Sequence, residues 1–295
     1  MTDIIASPST RRLAREKGID LVALAQQLGR TTLAPEDFAL PAQYVAASPA
    51  GADTSFWDVD HAQFGEVTEE PMSRIAQVAA RNLAAAQALI PAVTHHDSAD
   101  VTAIEALRNA WGAEVAQGGV KLTALAFHVM ALARCLRAFP KFNASLTADG
   151  QTLVLKHYVH IGIAVDTPHG LVVPVIRDAD RKGLVQIARD IVDLARRAQA
   201  RKVGPAEMGG ASMTITNLGG IGGSGFTPII NPPEVAILGI TRTQVDTVWE
   251  NGTPRPVPKV PLDLSYDHRV INGADAARFL ARYCRMIAEP RHLLI

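Results

Sequence analysis

A histidine stands close to an Asn-Gly pair in PLDLSYDHRVINGADAARF, the stretch at residues 261–279. His268 precedes Asn272 by four positions, and Gly273 follows directly. Histidine has an ordinary pKa of about 6.5, so a neutral imidazole can take a proton from a hydroxyl or thiol at physiological pH. The pair therefore allows general-base chemistry at position 268. A polar strand end and a helix cap explain the same two residues structurally, so both interpretations remain open at this point.

The residues around the pair predict the two elements that position it. Apolar and polar residues alternate from 262 to 267, which predicts a half-buried strand that ends at His268. Apolar residues recur at helical spacing between 276 and 287, which predicts a helix that begins near Gly273 or Ala274. Asn272 suits the N-cap of this helix, and Asp275 suits its first turn, where a negative charge favours the helix dipole. The histidine is thus expected in a turn between a strand and a helix.

Strand and helix patterns alternate through the rest of residues 55–295. Strand patterns occupy residues 92–102, 152–180, 211–218, 234–243 and 260–268, and a Pro-rich hairpin is predicted around 249–256. Helix patterns occupy residues 73–89, 103–115, 121–140, 184–202 and 274–289. The segment at 121–140 is apolar around most of its circumference, so its helix is expected to be buried. These patterns predict an α/β fold in which helices cover a mixed sheet.

The first 54 residues have a different character. Short helices are expected near residues 6–17 and 21–28, and together they predict a small helical domain at residues 5–38. Residues 39–54 are rich in Ala, Pro, Gly and Ser, which predicts a flexible linker. Arg11, Arg12 and Arg15 give the helical segment a basic face, which is either simply solvated or a docking surface for an acidic partner.

Composition and charge exclude several classes of function. Lys plus Arg and Asp plus Glu number 29 each, so no net field favours nucleic acid or an anionic membrane. No apolar run approaches the roughly 20 residues that cross a bilayer, and no secretory signal is recognised, so a cytoplasmic protein is expected. Cys135 and Cys284 are too few for a disulfide scaffold. The histidines at positions 95 and 96 and at 157 and 160 lack further ligands, so no metal is expected.

The histidine motif and four segments around it resemble the dihydrolipoyl acyltransferases of the 2-oxoacid dehydrogenase complexes. DHRVING is similar to the His-Arg-x-x-Asp/Asn-Gly signature of that family. The other segments follow the family's order at residues 59–75, 121–146, 160–184 and 214–240. GEVTEEPMSRI and LKHYVHIGIAVDTPHG are most similar to the branch that serves pyruvate and transfers acetyl groups. The resemblance implies a two-layer, chloramphenicol-acetyltransferase-like fold with a mixed sheet, preceded by a small helical domain similar to those that bind peripheral subunits.

The reaction that the resemblance implies is transfer of an acyl group, acetyl in this branch, between dihydrolipoamide and coenzyme A. A thiol of pKa about 8.5 is mostly protonated at pH 7, so a base in contact with it promotes attack on a thioester. By the motif match, His268 is that base. The family places a Ser or Thr hydroxyl beside the oxyanion, and Thr216 occupies that position, although an ordinary strand residue would look the same. Asn272 and Arg108 match supporting positions of the family.

The resemblance also implies partners and an assembly. Coenzyme A is a substrate, the active site lies between the subunits of a trimer, and the decarboxylase and dihydrolipoyl dehydrogenase components are candidate partners of the N-terminal domain. The sequence contains no Asp-Lys-Ala hairpin of a lipoyl domain, so the lipoyl group is expected on another chain, or the reaction uses a free thiol. Two alternatives stay open, a scaffold subunit of such a complex and a free-standing acyltransferase of the chloramphenicol type. The resemblance implies that residues 55–295 form the acyltransferase domain.

Overall fold

The computed structural model describes residues 57–293 without a gap and, before them, residues 5–7, 10, 14, 21, 25 and 31–33. The chain divides into two compact units, Met1–Thr68 and Glu69–Ile295. The domain bounds predicted from the sequence, at residues 38 and 54, remain predictions.

The first unit contains a short parallel ladder between β1 (Ile5–Ala6) and β2 (Thr32–Leu33). Helical conformation occurs between these strands at the described positions Thr10, Ala14, Leu21 and Ala25. A 3-10 turn, His61–Gln63, lies further along the chain, and the side chain of Asp60 caps it. Arg11, Arg12 and Arg15 lie outside the described residues, so the basic face predicted there stays a prediction.

Five helices and nine strands are described in the second unit, largely where the sequence patterns place them. The helices are α1 (Arg74–Leu89), α2 (Thr102–Gln117), α3 (Ala124–Ala138), α4 (Leu184–Gln199) and α5 (Gly273–Ala288). The strands are β3 (Ala92–Asp100), β4 (Ala144–Leu146), β5 (Leu153–Leu155), β6 (Ile161–Ile163), β7 (Val175–Ile176), β8 (Met213–Asn217), β9 (Ala236–Ile240), β10 (Gln244–Glu250) and β11 (Thr253–Asp267). The predicted Pro-rich hairpin is the β10–β11 hairpin.

One mixed sheet of seven strands organises this unit. The order is β10, β11, β9, β8, β6, β7, and β3 also pairs with β11. The β6–β8 and β8–β9 pairs are parallel, whereas β3, β9 and β10 all run antiparallel to β11. Strands β4 and β5 form a separate hairpin. The α/β class and the mixed sheet predicted from the sequence are thereby confirmed.

The half-buried strand predicted before His268 is wrong, because residues 262–267 of β11 are buried on both faces. Strand β11 pairs with β3 through its residues 259–267 and with β9 through 262–266. Its polar residues Asp263, Ser265 and Asp267 are at most 2% exposed. A polar side chain is tolerated in such a position when it is hydrogen-bonded, and each of these three has a partner on a neighbouring element or turn.

Helix α3 is the buried helix that its apolar circumference predicts. Its residues are buried from Ala126 to Ala133 and again at Cys135 and Leu136. Aromatic packing joins the 3-10 turn after it, Pro140–Phe142, to α5, because the Phe142 and Phe279 rings stack with centroids 4.1 Å apart. Ring contacts of this kind stabilise helix pairs beyond the area they bury. Helices α3 and α5 therefore form one firm layer behind the sheet.

A second contact between these helices joins His128 of α3 to Tyr283 of α5. The His128 Nδ1 atom lies 2.6 Å from the Tyr283 hydroxyl oxygen, and both side chains are buried. Burial lowers the pKa of His128 from 6.5 to about 4, so the imidazole stays neutral at physiological pH.

Among the described residues no helix is both long and apolar enough to cross a lipid bilayer.

Gly239 of β9 is packed too closely to accept a larger residue. It pairs with Thr216 on one side and with Asp263 on the other. A Cβ atom at this position would lie 2.8 Å from two atoms of the Phe226 ring and 3.2 Å from the Cβ of Asp263. We expect Gly239→Ala to lower the free energy of unfolding by about 1–3 kcal/mol, because the half-buried Phe226 ring and the strand beside it must move apart.

Denaturant unfolding of purified Gly239→Ala measures this loss. Gly209→Ala is the matched control, since a Cβ there meets no atom within 4 Å and the residue lies outside the sheet. Equal stability of Gly239→Ala and the unmutated protein would contradict the packing of Phe226 described here.

Candidate active site

His268 is the first residue after β11 and lies in the turn that leads to α5, as the sequence pattern predicts. Its backbone N–H donates to the carbonyl oxygen of Pro91 at 3.1 Å. The side chain is exposed, and its ring centroid lies 5.8 Å from that of the buried Tyr266. The backbone is therefore fixed while the imidazole remains open to an incoming group.

Asp267 and Arg269, which flank the histidine, make this turn rigid. The Arg269 guanidinium donates to both carboxylate oxygens of Asp267, with Nη2 to Oδ2 at 2.7 Å and Nε to Oδ1 at 3.0 Å. The backbone N–H of Arg269 also donates to Asp267 Oδ1 at 3.0 Å. These bonds raise the pKa of Arg269 further above its ordinary value. The sequence reasoning missed this pair, although Asp-His-Arg is visible in the motif itself.

Asn272 caps α5, as predicted. Its side-chain oxygen accepts a hydrogen bond from the backbone N–H of Asp275 at 2.8 Å, and Asp275 lies in the first turn. Such a cap stabilises a helix by about 1 kcal/mol. The residue thereby sets the direction of the chain just after the turn that carries His268.

Arg108 lies on α2 and binds Glu105 of the same helix. Its Nε and Nη2 atoms donate to one oxygen of Glu105 at 2.9 and 2.6 Å. No hydrogen bond or ion pair joins Arg108 to Asn272 within the described part of the chain. A supporting role for Arg108 remains a prediction.

Thr216 lies on β8, two strands away from β11. It is half-buried and pairs with Gly239, which in turn pairs with Asp263. His268 stands five residues further along β11 than Asp263. At about 3.3 Å per residue along a strand and about 4.8 Å between strands, Thr216 and His268 of one chain are roughly 15–20 Å apart. A single site that uses both residues must therefore combine two chains.

A buried carboxyl group, which the sequence reasoning missed, lies beside β8. Glu234 is 4% exposed, and its Oε1 atom accepts hydrogen bonds from Thr214 Oγ1 at 2.9 Å and Asn231 Nδ2 at 3.3 Å. Its Oε2 atom is buried and has no hydrogen-bond partner among the described residues. Thr214 precedes Thr216 by two residues, so the two threonines lie on the same face of β8.

Burial raises the pKa of Glu234 from 4.5 to about 7, and hydrogen bonds from Thr214 and Asn231 and the charge of Lys156 oppose the rise. The folded protein therefore holds this proton more tightly than the unfolded chain does. Between pH 4.5 and about 7 the unfolded chain has released the proton and the folded chain has not, so the contribution to stability falls as pH rises.

We expect Glu234→Gln to remove this pH dependence, since the amide keeps the shape and the Oε1 acceptor but does not ionise. Relative to the unmutated protein, the variant should gain about 3 kcal/mol in unfolding free energy between pH 4.5 and pH 7.5. Urea unfolding at a series of pH values measures the difference. Glu114→Gln, at an exposed position of α2, serves as the control and should show no such trend. If the unfolding free energies of Glu234→Gln and the unmutated protein change in parallel with pH, Glu234 is ionised in the folded state at neutral pH.

Two of the four histidines considered as metal ligands, His96 and His160, have other partners. The Nδ1 atom of His96 lies 2.6 Å from Asp263 Oδ1. The Nδ1 atom of His160 accepts a hydrogen bond from the backbone N–H of Asp178 at 3.0 Å. Within the described residues, no three His, Cys, Asp or Glu side chains are grouped as metal ligands would be.

Neither cysteine is suited to act as a nucleophile. Cys135 and Cys284 are both free thiols, and each lies in a helix, as the sequence predicts. Burial raises the pKa of Cys135 to about 12 and also raises that of Cys284. Both therefore stay protonated at neutral pH, and a reaction of thiols at this site must take its thiol from a substrate.

Comparison with known families matches most of the chain. The family model described as "2-oxoacid dehydrogenases acyltransferase (catalytic domain)" matches residues 64–295. A second, described as "e3 binding domain", matches residues 4–29.

Two relatives and two solved structures illustrate the similarity. The dihydrolipoyllysine-residue acetyltransferase components of the pyruvate dehydrogenase complexes of Azotobacter vinelandii and Pseudomonas aeruginosa are each 45% identical to this chain over 98% of it. The matches cover 47% and 55% of those proteins, so the chain spans about half the length of these curated relatives.

The solved structures cover the part of the chain that holds the sheet. One comes from work on the roles of a serine, a histidine and an asparagine in the catalytic mechanism of A. vinelandii dihydrolipoamide acetyltransferase. It is 48% identical, with a TM-score of 0.79, and covers 80% of this chain and 98% of that one. The cubic core of a pyruvate dehydrogenase multienzyme complex is 49% identical, with a TM-score of 0.79 and the same coverage. The fold of the chain is thus that of the solved acyltransferase cores.

Proposed function

The chain belongs to the 2-oxoacid dehydrogenase acyltransferase family, and on that premise we propose that it transfers an acetyl group between dihydrolipoamide and coenzyme A. The observation that carries the proposal is the placement of His268. A rigid turn fixes its backbone at the end of the longest described strand, and its imidazole is exposed.

The spacing of the three proposed catalytic residues supports the assignment. Thr216, His268 and Asn272 are separated along this chain by the same intervals as the serine, histidine and asparagine studied in the A. vinelandii enzyme. Threonine replaces serine at the first position and keeps the hydroxyl group. We therefore assign His268 as the general base, Thr216 as the oxyanion donor and Asn272 as a positioning residue.

The chemistry is a thioester exchange in which every proton is accounted for. The His268 imidazole takes the proton of the attacking thiol, and the thiolate forms a bond to the thioester carbonyl carbon. The carbonyl oxygen becomes an oxyanion, to which the Thr216 hydroxyl donates a hydrogen bond. Collapse of this intermediate breaks the bond to the second sulfur, which receives the proton back from the imidazolium. The residues supply the base and the donor, and the two substrates supply both thiols.

The separation of Thr216 and His268 within one chain supports a site shared between two chains. We propose that His268 of one subunit faces Thr216 of its neighbour in a homo-oligomer built from trimers. Arg108, which is paired with Glu105, lies at a pocket that Lys121 also lines. We assign Arg108 a supporting role there, where the positive charge of Lys121 favours an anionic substrate such as coenzyme A.

The N-terminal unit is proposed to bind a peripheral enzyme of the complex. The match of residues 4–29 to the e3 binding domain supports dihydrolipoyl dehydrogenase as the partner, and the decarboxylase component is the other candidate. Arg11, Arg12 and Arg15 provide the positive charge for docking. We propose that a lipoyl domain presents the dihydrolipoyl group to this site.

The proposal is tested by mixing the purified protein with acetyl-coenzyme A and either free dihydrolipoamide or a separate dihydrolipoyl domain. Formation of acetyl-dihydrolipoamide supports the proposal, and a higher kcat/KM with the domain supports presentation of the lipoyl group by a lipoyl domain. Acetylation of small hydroxyl or amine acceptors in place of either thiol would favour a free-standing acyltransferase. No transfer to any acceptor would favour a scaffold subunit. Mass measurement in solution separately determines the assembly.

A further inference from the structure

A basic cavity in the second unit lies away from the proposed active site. Its volume is about 880 Å³, within the range of sites for small molecules. Five arginines line it, Arg134, Arg137, Arg181, Arg282 and Arg285, and His292 stands beside them. The described lining includes one acidic residue, Asp180.

Two packed helices bring four of these arginines together. Arg134 and Arg137 are three residues apart on α3, and Arg282 and Arg285 are three apart on α5, so each pair shares one face of its helix. The ring of Phe139, at the C-cap of α3, and that of Phe142, in the next turn, both pack on Phe279 and fix the two helices relative to each other. The arrangement of the arginines is therefore built into the helix packing.

Most of the positive charge in this cavity is not neutralised by the protein. Asp180 is engaged by Arg137, whose Nε donates to its Oδ2 at 2.7 Å and whose Nη2 donates to the same oxygen. No carboxylate of the described residues pairs with Arg134, Arg181, Arg282 or Arg285. The chain as a whole has a formal net charge of zero, so this local excess is concentrated by the fold. Like charges held close together repel one another, and a bound anion would relieve that repulsion.

We propose that the cavity binds a small molecule that carries a diphosphate group. Guanidinium groups bind phosphate oxygens through two parallel hydrogen bonds, and Arg134 of α3 together with Arg282 and Arg285 of α5 provides such groups on two walls of the cavity. Two linked phosphates can engage both walls at once, whereas a single phosphate engages one. Ala138 and Met286 add apolar surface to the lining, where the rest of a nucleotide can pack.

The cavity is separate from the acetyl-transfer site. Arg282 and Arg285 lie ten or more residues into α5 beyond its cap Asn272, which places them about 15 Å or more along the helix from the His268 turn. His268, Thr216 and Arg108 are not among the residues that line it. The inference consequently does not depend on the proposed function.

Titration calorimetry of the full chain with inorganic pyrophosphate tests the proposal. We expect pyrophosphate to bind at least tenfold more tightly than inorganic phosphate, and the affinity to fall as salt is added. The double variant Arg282→Gln/Arg285→Gln should bind pyrophosphate at least tenfold more weakly. The control Arg81→Gln/Arg189→Gln removes the same charge from exposed positions without a carboxylate partner among the described residues and should change the affinity less than twofold. Arg181→Gln provides a second, single test on another element.

Further ligands separate the sources of the diphosphate. Tighter binding of ADP than of pyrophosphate supports a nucleotide that uses the apolar wall, and equal binding supports free diphosphate. Displacement of pyrophosphate by a lower concentration of polyglutamate would overturn the proposal in favour of an acidic protein partner. Absence of pyrophosphate binding, an equal loss in the control variant, or a raised KM for coenzyme A in Arg282→Gln/Arg285→Gln would also overturn it.

Discussion

His268→Ala is expected to lower kcat for acetyl transfer by about 10²–10⁴-fold, because the attacking thiol loses the base that removes its proton. The KM for either thiol should change little, since the imidazole acts mainly in the transition state. Steady-state assays with acetyl-coenzyme A and dihydrolipoamide measure both quantities. The fold should survive, because the side chain is exposed and only the backbone N–H of this residue bonds to Pro91.

The matched control for this variant is His157→Ala. His157 is exposed and lies outside every element of the proposed site, so its replacement should leave kcat within twofold of the unmutated value. Unfolding curves of both variants separate a loss of base from a loss of structure. Full activity of a well-folded His268→Ala protein would contradict the proposed role of His268 as the general base.

Thr216→Val is expected to lower kcat by about 10²–10³-fold, because valine keeps the shape and the strand preference of threonine but cannot donate to the oxyanion. Thr216→Ser retains a hydroxyl and should keep most of the activity. The residue is half-buried near the end of β8, the middle strand of the parallel part of the sheet, so valine should not lower stability. A kcat for Thr216→Val equal to that of Thr216→Ser would show that the hydroxyl plays no part.

Mixing the two inactive proteins tests whether one site uses two chains. If subunits of His268→Ala and Thr216→Val assort at random, about a quarter of the sites combine an intact histidine with an intact threonine and regain activity. No recovery after dissociation and reassembly would mean that both residues act within one chain. That result would contradict the separation of roughly 15–20 Å that the strand register gives.

The sequence was most informative where structure depends on near neighbours. The end of β11 at His268, the cap at Asn272 and the buried circumference of α3 all follow from periodicity or capping within a few residues, and the structure agrees with each. These features are local, because the spacing of apolar residues within one strand or helix indicates which of its faces are apolar.

Contacts between distant segments could not be predicted in the same way. Asp263 looked like a solvent-facing residue of a half-buried strand, yet it is buried because His96 of β3 and the backbone of Phe226 bind it. The burial of Glu234 could not be predicted from its neighbours in the sequence, since it depends on the packing of β8 beside it. The arginine spacing of α5 was visible in the sequence, but the opposing pair on α3 became apparent only from the helix packing.

The distance between Thr216 and His268 within a single chain also bears on how the protein is made. If the proposed shared site is correct, a newly synthesised, unassembled subunit holds His268 and Thr216 too far apart to act on one substrate. Such a subunit would not consume thioesters before it meets its neighbours. Catalytic competence would then begin at the moment of assembly, and the cell would need no separate inhibitor to silence orphan subunits.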